Sequence, residues 1–516
     1  MNTTEFLTIA SAICPDKLAI IFEGKRYTFS QLNERANRLG NALSNLGVQK
    51  GDRVAMLQVN TNQCVEAYFA VAKIGGMYVP LNFRAKGNEL TYMLNTAEAN
   101  TLFIGERYID LVNSIKPELA SVKNFISLDR PDGGMLYYED MIASALADDI
   151  FTEIDDNDTT ILMYTAGTTG FPKGVMLSHN SFSIYVLENV SPADPETEER
   201  NILTVPLYHV AGIQAMMAAI YGGRTLVTER QFEPKEWMEL VETEKANRAM
   251  MVPTMLKQLL DHPDFSQHDL SSLRVITYGA APMPLEVIKR AVEVFPGVNF
   301  INAFGQTETA STITTLGPED HNITGTDDEK EKKLKRLSSI GKPMSDIEMK
   351  IVDEEGKALL PGEVGEIVAR GPRVMSGYWK DKEKTAKTID KDGWVHTGDM
   401  GYVDEEGYFF LAGRATDMII RAGENISPEE VEAVLLSHPK IDDVAVIGVP
   451  DAEWGEVPMA IVVLKEGKTA TPEELMEYCR ANLSSFKRPR SVVFVNELPR
   501  NPLGKVLKRV LREQYG

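Results

Sequence analysis

Residues 164–175 read Tyr164-Thr-Ala-Gly-Thr-Thr-Gly-Phe-Pro-Lys-Gly-Val175. Glycine tolerates backbone conformations that aim successive N–H groups at one point, which makes an anion-binding nest. Thr165, Thr168 and Thr169 add hydroxyl donors around Gly170, and Lys173 adds a full positive charge. Such a loop suits a polyphosphate; taken alone, it is also compatible with a flexible connection. It is not a Walker loop, because Gly467-Lys-Thr469 lacks the upstream glycine and no Gly-x-Gly-x-x-Gly occurs either.

A loop of this kind needs a scaffold. An apolar strand pattern at 159–164 leads into it, and a helix near Asn180 is expected to follow. Upstream, 18–22 and 26–28 flank the turn Glu23-Gly-Lys25 as a hairpin. The next helix carries Leu32, Ala36, Leu39, Leu43 and Leu46 on one face and ends at Gly47. Strand, helix and strand patterns follow at 53–57, 63–74 and 77–81, with further strands at 274–278 and 298–303. This alternation predicts an α/β architecture with parallel pairing. Residues 327–337 read as a solvated charge run. Beyond them, short β runs punctuated by Asp353-Glu-Glu-Gly356, Pro361-Gly362 and Asp404-Glu-Glu-Gly407 predict a small antiparallel β subdomain over about 338–413. A compact α+β unit closes the chain, with helices at 428–436 and 472–481, strands at 443–449, 460–464 and 491–495, and a basic stretch at 505–512.

The chain has 516 residues. A single core stops growing near ~250–300 residues, so two or more domains are expected. A net charge of −21 argues against nucleic acid or an anionic membrane as the main partner, although a local Lys/Arg cluster still binds anionic ligands. Cys14, Cys64 and Cys479 lie far apart and form no CxxC, which fits a reducing cytoplasm. The N-terminal apolar patch is short, carries Glu5 and lacks a basic leader, so it does not read as a signal peptide. No uninterrupted apolar run approaches the ~18 residues of a membrane span.

Four further motifs occur in order: Phe304-Gly-Gln-Thr-Glu308, Thr397-Gly-Asp399, Gly413-Arg-Ala-Thr-Asp-Met-Ile-Ile-Arg-Ala-Gly-Glu-Asn-Ile-Ser-Pro428, and Pro499-Arg-Asn-Pro-Leu-Gly-Lys505. With the Thr/Gly loop, they resemble the signature segments of the adenylate-forming superfamily: acyl-CoA synthetases, luciferases and peptide-synthetase adenylation domains. The resemblance runs from about residue 15 to the end and is strongest, in motif, to benzoate-type aryl-CoA ligases. It implies a large N-terminal AMP-binding domain at 1–413, built of two parallel-sheet α/β subdomains plus a small β-barrel, and a mobile α+β domain at 414–516. It also implies ATP and CoA as co-substrates with Mg²⁺, a small carboxylic acid as substrate, and a monomer or homodimer.

The residues fit those roles physically. Phe304, beside Gly305, offers a ring face for adenine, although core packing explains it too. Thr307 is a donor for the α-phosphate, and Glu308 suits a hard cation; the resemblance adds Thr165 near that metal. Asp399 suits the ribose hydroxyls, with a turn or capping role as the alternative. Arg414 suits phosphate or ribose, with a surface ion pair as the alternative. The resemblance puts Gly279, Ala280 and Asn302 beside adenine, while close packing explains the Gly-Ala-Ala run equally well. It also makes Lys505 the cation that neutralises charge between the acid and the α-phosphate. Thr416 stands at the hinge position, where Asp or Lys is usual.

The basic cluster Phe486-Lys-Arg-Pro-Arg490 resembles the segment that meets the CoA nucleotide, with Arg421, Gly423 and Trp454 beside it, and Arg488 and Arg490 suited to a phosphate. Balancing an acidic chain explains the cluster equally well. No thiolation domain follows Lys505, which favours CoA over a carrier protein. Between Asn201 and Thr228 there is no Asp or Glu, so a substrate ammonium has no counter-ion there. The resemblance gives His209, Val210, Ala211, Gly279, Ala310 and Thr312 as the acyl pocket, though His209 alone reads equally as a core residue. Small residues there suit an aromatic or alicyclic acid first, a medium-chain fatty acid second. Loading a carrier protein with the acyl group is the further alternative.

Overall fold

The short apolar runs of the first 340 residues pair into two large sheets in the computed structural model, which describes residues 1–165, 172–421, 424–451, 454–501 and 504–516. One sheet has nine strands and the other eight. Leu18–Phe22, Arg200–Leu203, Thr225–Thr228, Arg248–Met251, Val275–Gly279 and Asn299–Gln306 pair in parallel in the first. Arg53–Leu57, Met77–Pro80, Thr101–Ile104, Asn124–Ser127 and Thr159–Thr165 do so in the second. Strands buried on both faces explain the near-continuous apolar runs. The helices Phe29–Asn45 and Asn62–Lys73 pack against each other in the main core. Leu46 departs from the expected buried face: the helix ends at Asn45, Gly47 turns at φ +86°, and Leu46 is exposed.

One expectation is extended and one is corrected. The helix expected near Asn180 is present, but a strand precedes it. Lys173–Ser178 is a strand antiparallel to Thr159–Thr165, so the loop connects two antiparallel strands, and helix His179–Asn189 starts only after Ser178 caps it. The run Gly174-Val-Met-Leu177 is too short for periodicity to separate strand from loop. The small β subdomain is not a closed barrel. Glu348–Val352, Gly365–Arg370, Val395–Val403 and Phe409–Arg414 form an open antiparallel sheet in that order. Among the described residues, its end strands Glu348–Val352 and Phe409–Arg414 do not pair with each other. Two short strands of this stretch instead stitch it to its neighbours: Lys342–Pro343 extends the nine-stranded sheet and Gly377–Tyr378 the eight-stranded one. The charged run folds as helix Asp327–Leu337, capped by Thr326 and buried only at Leu337.

After Arg414 a turn at 415–417 leads into a sheet in which Ile441–Asp451 and Gly455–Leu464 form a long antiparallel pair, and Ser491–Phe494 joins in parallel. Helices Pro428–Leu436 and Pro472–Asn482 cover it. This unit meets helix Pro253–Asp261 through Lys257 and Asp442, 2.7 Å apart. Among the described residues, no helix is long and apolar enough to cross a membrane, and all three cysteines are buried and free.

His179, 1% exposed, has Nδ1 2.7 Å from Thr3 Oγ1, and burial pushes its pKa from 6.5 down to about 4. The unfolded chain therefore binds a proton that the folded chain refuses as pH falls from 6.5 toward 4. The stability His179 contributes is present above 6.5 and is lost across that window, by on the order of 2–3 kcal/mol. Urea unfolding as a function of pH is expected to show this loss, and His179→Asn to flatten it.

Candidate active site

Strands Val275–Gly279 and Asn299–Gln306 end side by side, with Gly279 opposite Ala303. A Cβ on Gly279 would stand 2.0 Å from the Ala303 carbonyl oxygen, so only glycine permits that approach. Ala280 then turns away at φ +67°. Asn302 donates to the Ser339 carbonyl at 3.2 Å. Phe304 is half-buried against the aliphatic clusters of the small β sheet, so the core role weighed for it is in part realised. At Gly305 a Cβ would lie 1.5 Å from the Ser311 carbonyl oxygen.

The turn Thr307–Thr309 follows, and Ala310 and Ser311 adopt positive φ of 49° and 85°, a costly conformation for residues with a Cβ. Thr309 Oγ1 holds the turn by donating to Gln306 O. The turn delivers Glu308 to the Tyr378 hydroxyl, which donates to Oε1 at 2.8 Å. Lys173 lies over the Tyr378 ring at 5.6 Å and pairs across the hairpin with Thr165. Its pKa is lowered, first by burial and then by the Lys384 charge, with Glu308 opposing. Thr165, Lys173, Thr307 and Glu308 therefore stand together, while Thr168, Thr169 and Gly170 lie outside the described residues. Gln306, which sequence reasoning passed over, joins this turn to the next motif by donating to Thr397 O at 3.2 Å.

Strand pairing places Asp399 directly opposite Arg414, and their side chains meet at 2.7 Å. Gly398 turns at φ +69° while its N–H donates to Glu366 Oε1 at 2.9 Å. Burial pushes the Asp399 carboxyl up, against Arg414 and Lys505, which both hold it down. Lys505 approaches from the C-terminal unit, its backbone N–H donating to Asn501 Oδ1 at 2.8 Å. Gly504, at φ +77°, packs so closely on Thr254 that a Cβ would be 2.3 Å from its hydroxyl. Lys505 keeps solvent along one side, yet the surrounding protein lowers its pKa, first by lost hydration and then by the Arg414 charge. Asp399, Asp417 and Glu429 pull the other way.

His209 stands at the N-cap position of helix Val210–Tyr221, and Val210, Ala211, Ala310 and Thr312 are buried. Burial alone pushes the His209 imidazole down to about 4, so it is neutral at physiological pH. Gln214 reaches Ala310 and Thr312 here. The signal for it was present: apart from the terminal Tyr221, it is the one polar residue in an apolar helix, four residues after Val210.

In the C-terminal unit, a cavity of about 660 Å³ is lined by Arg421, Trp454, Phe486, Arg488, Pro489 and Arg490, among others. Its size suits a nucleotide. Arg421 lies over Trp454 at 5.1 Å and donates to Phe486 O at 2.6 Å. Arg488 and Arg490, paired by the sequence reading, separate: Arg488 donates to the Leu483 and Arg480 carbonyls, whereas Arg490 is exposed. Gly423 lies outside the described residues.

Five segments far apart in the chain thus bring three cations, Lys173, Arg414 and Lys505, near two carboxylates, Glu308 and Asp399. That arrangement suits charge-rich transfer between a polyphosphate and an organic acid. A family model described as AMP-binding enzyme matches residues 8–379, and one described as AMP-binding enzyme C-terminal domain matches 430–505. The chain belongs to this family of AMP-forming acyl-CoA synthetases and ligases.

Among individual proteins, it is 32% identical over 517 residues to indoleacetate–CoA ligase of Aromatoleum aromaticum, covering 99% of this chain and 98% of that one. It is 32% identical over 493 residues to the long-chain-fatty-acid–CoA ligase FadD13 of Mycobacterium tuberculosis, covering 95% and 93%. The crystal structure of anthranilate CoA ligase AuaEII with anthranoyl-AMP superposes with a TM-score of 0.90 at 29% identity, covering 100% of this chain and 97% of that one.

Proposed function

We propose that this chain converts a compact aromatic or alicyclic carboxylic acid into its CoA thioester, through an acyl-adenylate formed from ATP. The observation that carries this reading is the convergence of Lys173, Glu308, Asp399, Arg414 and Lys505 from separate segments. Asp399 and Arg414 hold the ribose, and Gly279, Ala280, Asn302 and Phe304 border the base. Lys173, Thr307 and the hairpin hydroxyls take the phosphates. Glu308 presents a carboxylate whose Oε1 is oriented by Tyr378, and Thr165 adds a hydroxyl; this all-oxygen set fits Mg²⁺. The metal supplies charge neutralisation on the phosphates.

The acid is already ionised at neutral pH and needs no general base. Lys505 places its ammonium between carboxylate and α-phosphate, and the carboxylate oxygen attacks phosphorus as pyrophosphate leaves. Rotation of the C-terminal unit about 415–417, which contains Thr416, then withdraws Lys505 and brings Arg421 and its neighbours to the adenylate. The CoA thiolate attacks the acyl carbon and AMP departs.

The cavity beside Trp454 supports CoA over a carrier protein as acceptor. Because Arg488 is spent on backbone carbonyls and Arg490 is not, Arg490→Ala is expected to raise the KM for CoA by about tenfold or more, leaving adenylation intact. An unchanged KM would favour the carrier-protein alternative. Indoleacetate–CoA ligase and anthranilate CoA ligase support an aromatic acid, while FadD13 keeps the fatty-acid alternative in view.

A further inference from the structure

Strand Gly377–Tyr378 lies beside Lys173–Ser178, with Tyr378 opposite Val175 and the Trp379 N–H donating to Gly174 O at 2.7 Å. Helix Lys382–Thr388 follows at once and is tied to that strand. The Asp381 carboxylate caps it by accepting from Lys384 N–H at 2.8 Å, and Thr385 Oγ1 accepts from Tyr378 N–H at 2.9 Å. The helix thereby seats Lys384 at the start of strand Lys173–Ser178, where its ammonium stands beside that of Lys173. Other lysines of this segment are paired: Lys380 with Glu98 at 2.5 Å and Lys387 with Glu383 at 2.6 Å. Among the described residues, neither Lys173 nor Lys384 has a carboxylate at ion-pair distance; Glu308 and Asp381 act on Lys173 from farther off. Both lysines are half-buried. Two such ammonium groups side by side repel each other, and partial burial strengthens the repulsion. A multiply charged anion between them turns repulsion into attraction and accepts hydrogen bonds from both.

Glu308 indicates which anion fits. Its charge acts on Asp399 on one side and on Lys173 on the other. Arg414 and Lys505 stand with Asp399, at the end read as ribose and α-phosphate. Lys173 and Lys384 are therefore at the far end of the same run of charges. We propose that Lys384 is a further phosphate ligand: together with Lys173 it grips the two terminal phosphates of ATP and receives pyrophosphate as it leaves. The inference rests on reading Lys173 as a phosphate cation and Lys505 as the cation at the α-phosphate. As the bond from the carboxylate oxygen to the α-phosphorus forms, the bond from that phosphorus to the bridging oxygen breaks, and its electron pair passes to pyrophosphate. Both lysines keep their protons and neutralise the arriving charge. AMP lacks the two terminal phosphates, so its binding does not involve Lys384, and neither does CoA transfer.

The test titrates magnesium pyrophosphate and, separately, AMP into the full chain by calorimetry, for the wild type, Lys384→Met, Lys384→Arg and Lys387→Met. Lys384→Met keeps the aliphatic stem and removes the charge. It is expected to weaken pyrophosphate binding by about tenfold or more, the usual loss for one charged hydrogen bond, and to leave AMP affinity unchanged. Lys384→Arg keeps the charge and is expected to retain most of the affinity. Lys387→Met removes a cation of the same helix that already has a partner, and is expected to change neither ligand. In turnover, Lys384→Met should raise the KM for ATP by a similar factor and leave CoA transfer from purified acyl-AMP unaltered. Unchanged pyrophosphate affinity in Lys384→Met, equal losses for pyrophosphate and AMP, or a wild type that binds no pyrophosphate would overturn the proposal. A wild type that binds pyrophosphate through Lys384 yet releases none from ATP with any acid would uphold it and overturn the ligase reading instead.

Discussion

Lys505→Ala is expected to slow adenylate formation by about 10²–10³-fold, the usual effect of removing one charge that stabilises a transition state. CoA transfer from purified acyl-AMP should continue at close to its original rate, because on the proposed rotation Lys505 has left the site by then. The turn survives the change. The Lys505 N–H donates to Asn501 Oδ1 at 2.8 Å, Arg500 bridges to Val506, and Gly504 rests on Thr254. The effect is therefore chemical rather than structural.

The pH dependence has a definite sign. The ammonium form is the active one, and in the free enzyme the Lys505 pKa is held below its ordinary 10.5. Adenylation measured as kcat/KM should thus fall on the alkaline side before pH 10.5, and Lys505→Arg should move that limb upward. Single-turnover assays of each half-reaction decide the matter. Equal losses in both halves would assign Lys505 a structural role instead.

Asp399→Asn preserves shape and removes charge. The wild-type carboxyl is buried, burial pushes its pKa up, and Arg414 at 2.7 Å and Lys505 oppose that rise. In the variant the amide oxygen still accepts from Arg414, alongside the Thr397 carbonyl at 3.0 Å, but the charge and the second acceptor oxygen are gone. The KM for ATP is expected to rise by about 10–100-fold, as for loss of a charged hydrogen-bond partner. Discrimination between ATP and 2′-deoxy-ATP should collapse, because one ribose hydroxyl no longer finds its acceptor. Retained discrimination would remove Asp399 from the ribose.

How legible all this was in the sequence depends on the range of the interaction. Helix Pro428–Leu436 begins and ends where its Ser427-Pro428 start and apolar spacing say it should. The parallel strands were visible because they are apolar on both faces. Lys173–Ser178 was missed because a six-residue run carries too little periodicity, and with it the antiparallel pairing of the strands on either side of the Thr/Gly loop. The barrel was expected from turn density, yet turns do not reveal whether the end strands of a sheet pair. Within the cleft, charge-bearing residues announced themselves by motif. Their supports did not: Tyr378 orients Glu308 across 70 residues, Arg373 meets Asp346 across 27, and Glu366 holds Gly398 across 32. Such pairs are set by the packing of sheets, and no local pattern records them.

The most direct test of the account is to supply ATP labelled at the α-phosphate together with a ring carboxylic acid, and to withhold CoA. The account predicts acid-dependent pyrophosphate and an enzyme-bound acyl-AMP carrying the label, with free AMP and thioester appearing only when CoA is added. Labelled ADP in place of the adenylate, with inorganic phosphate released, would contradict it.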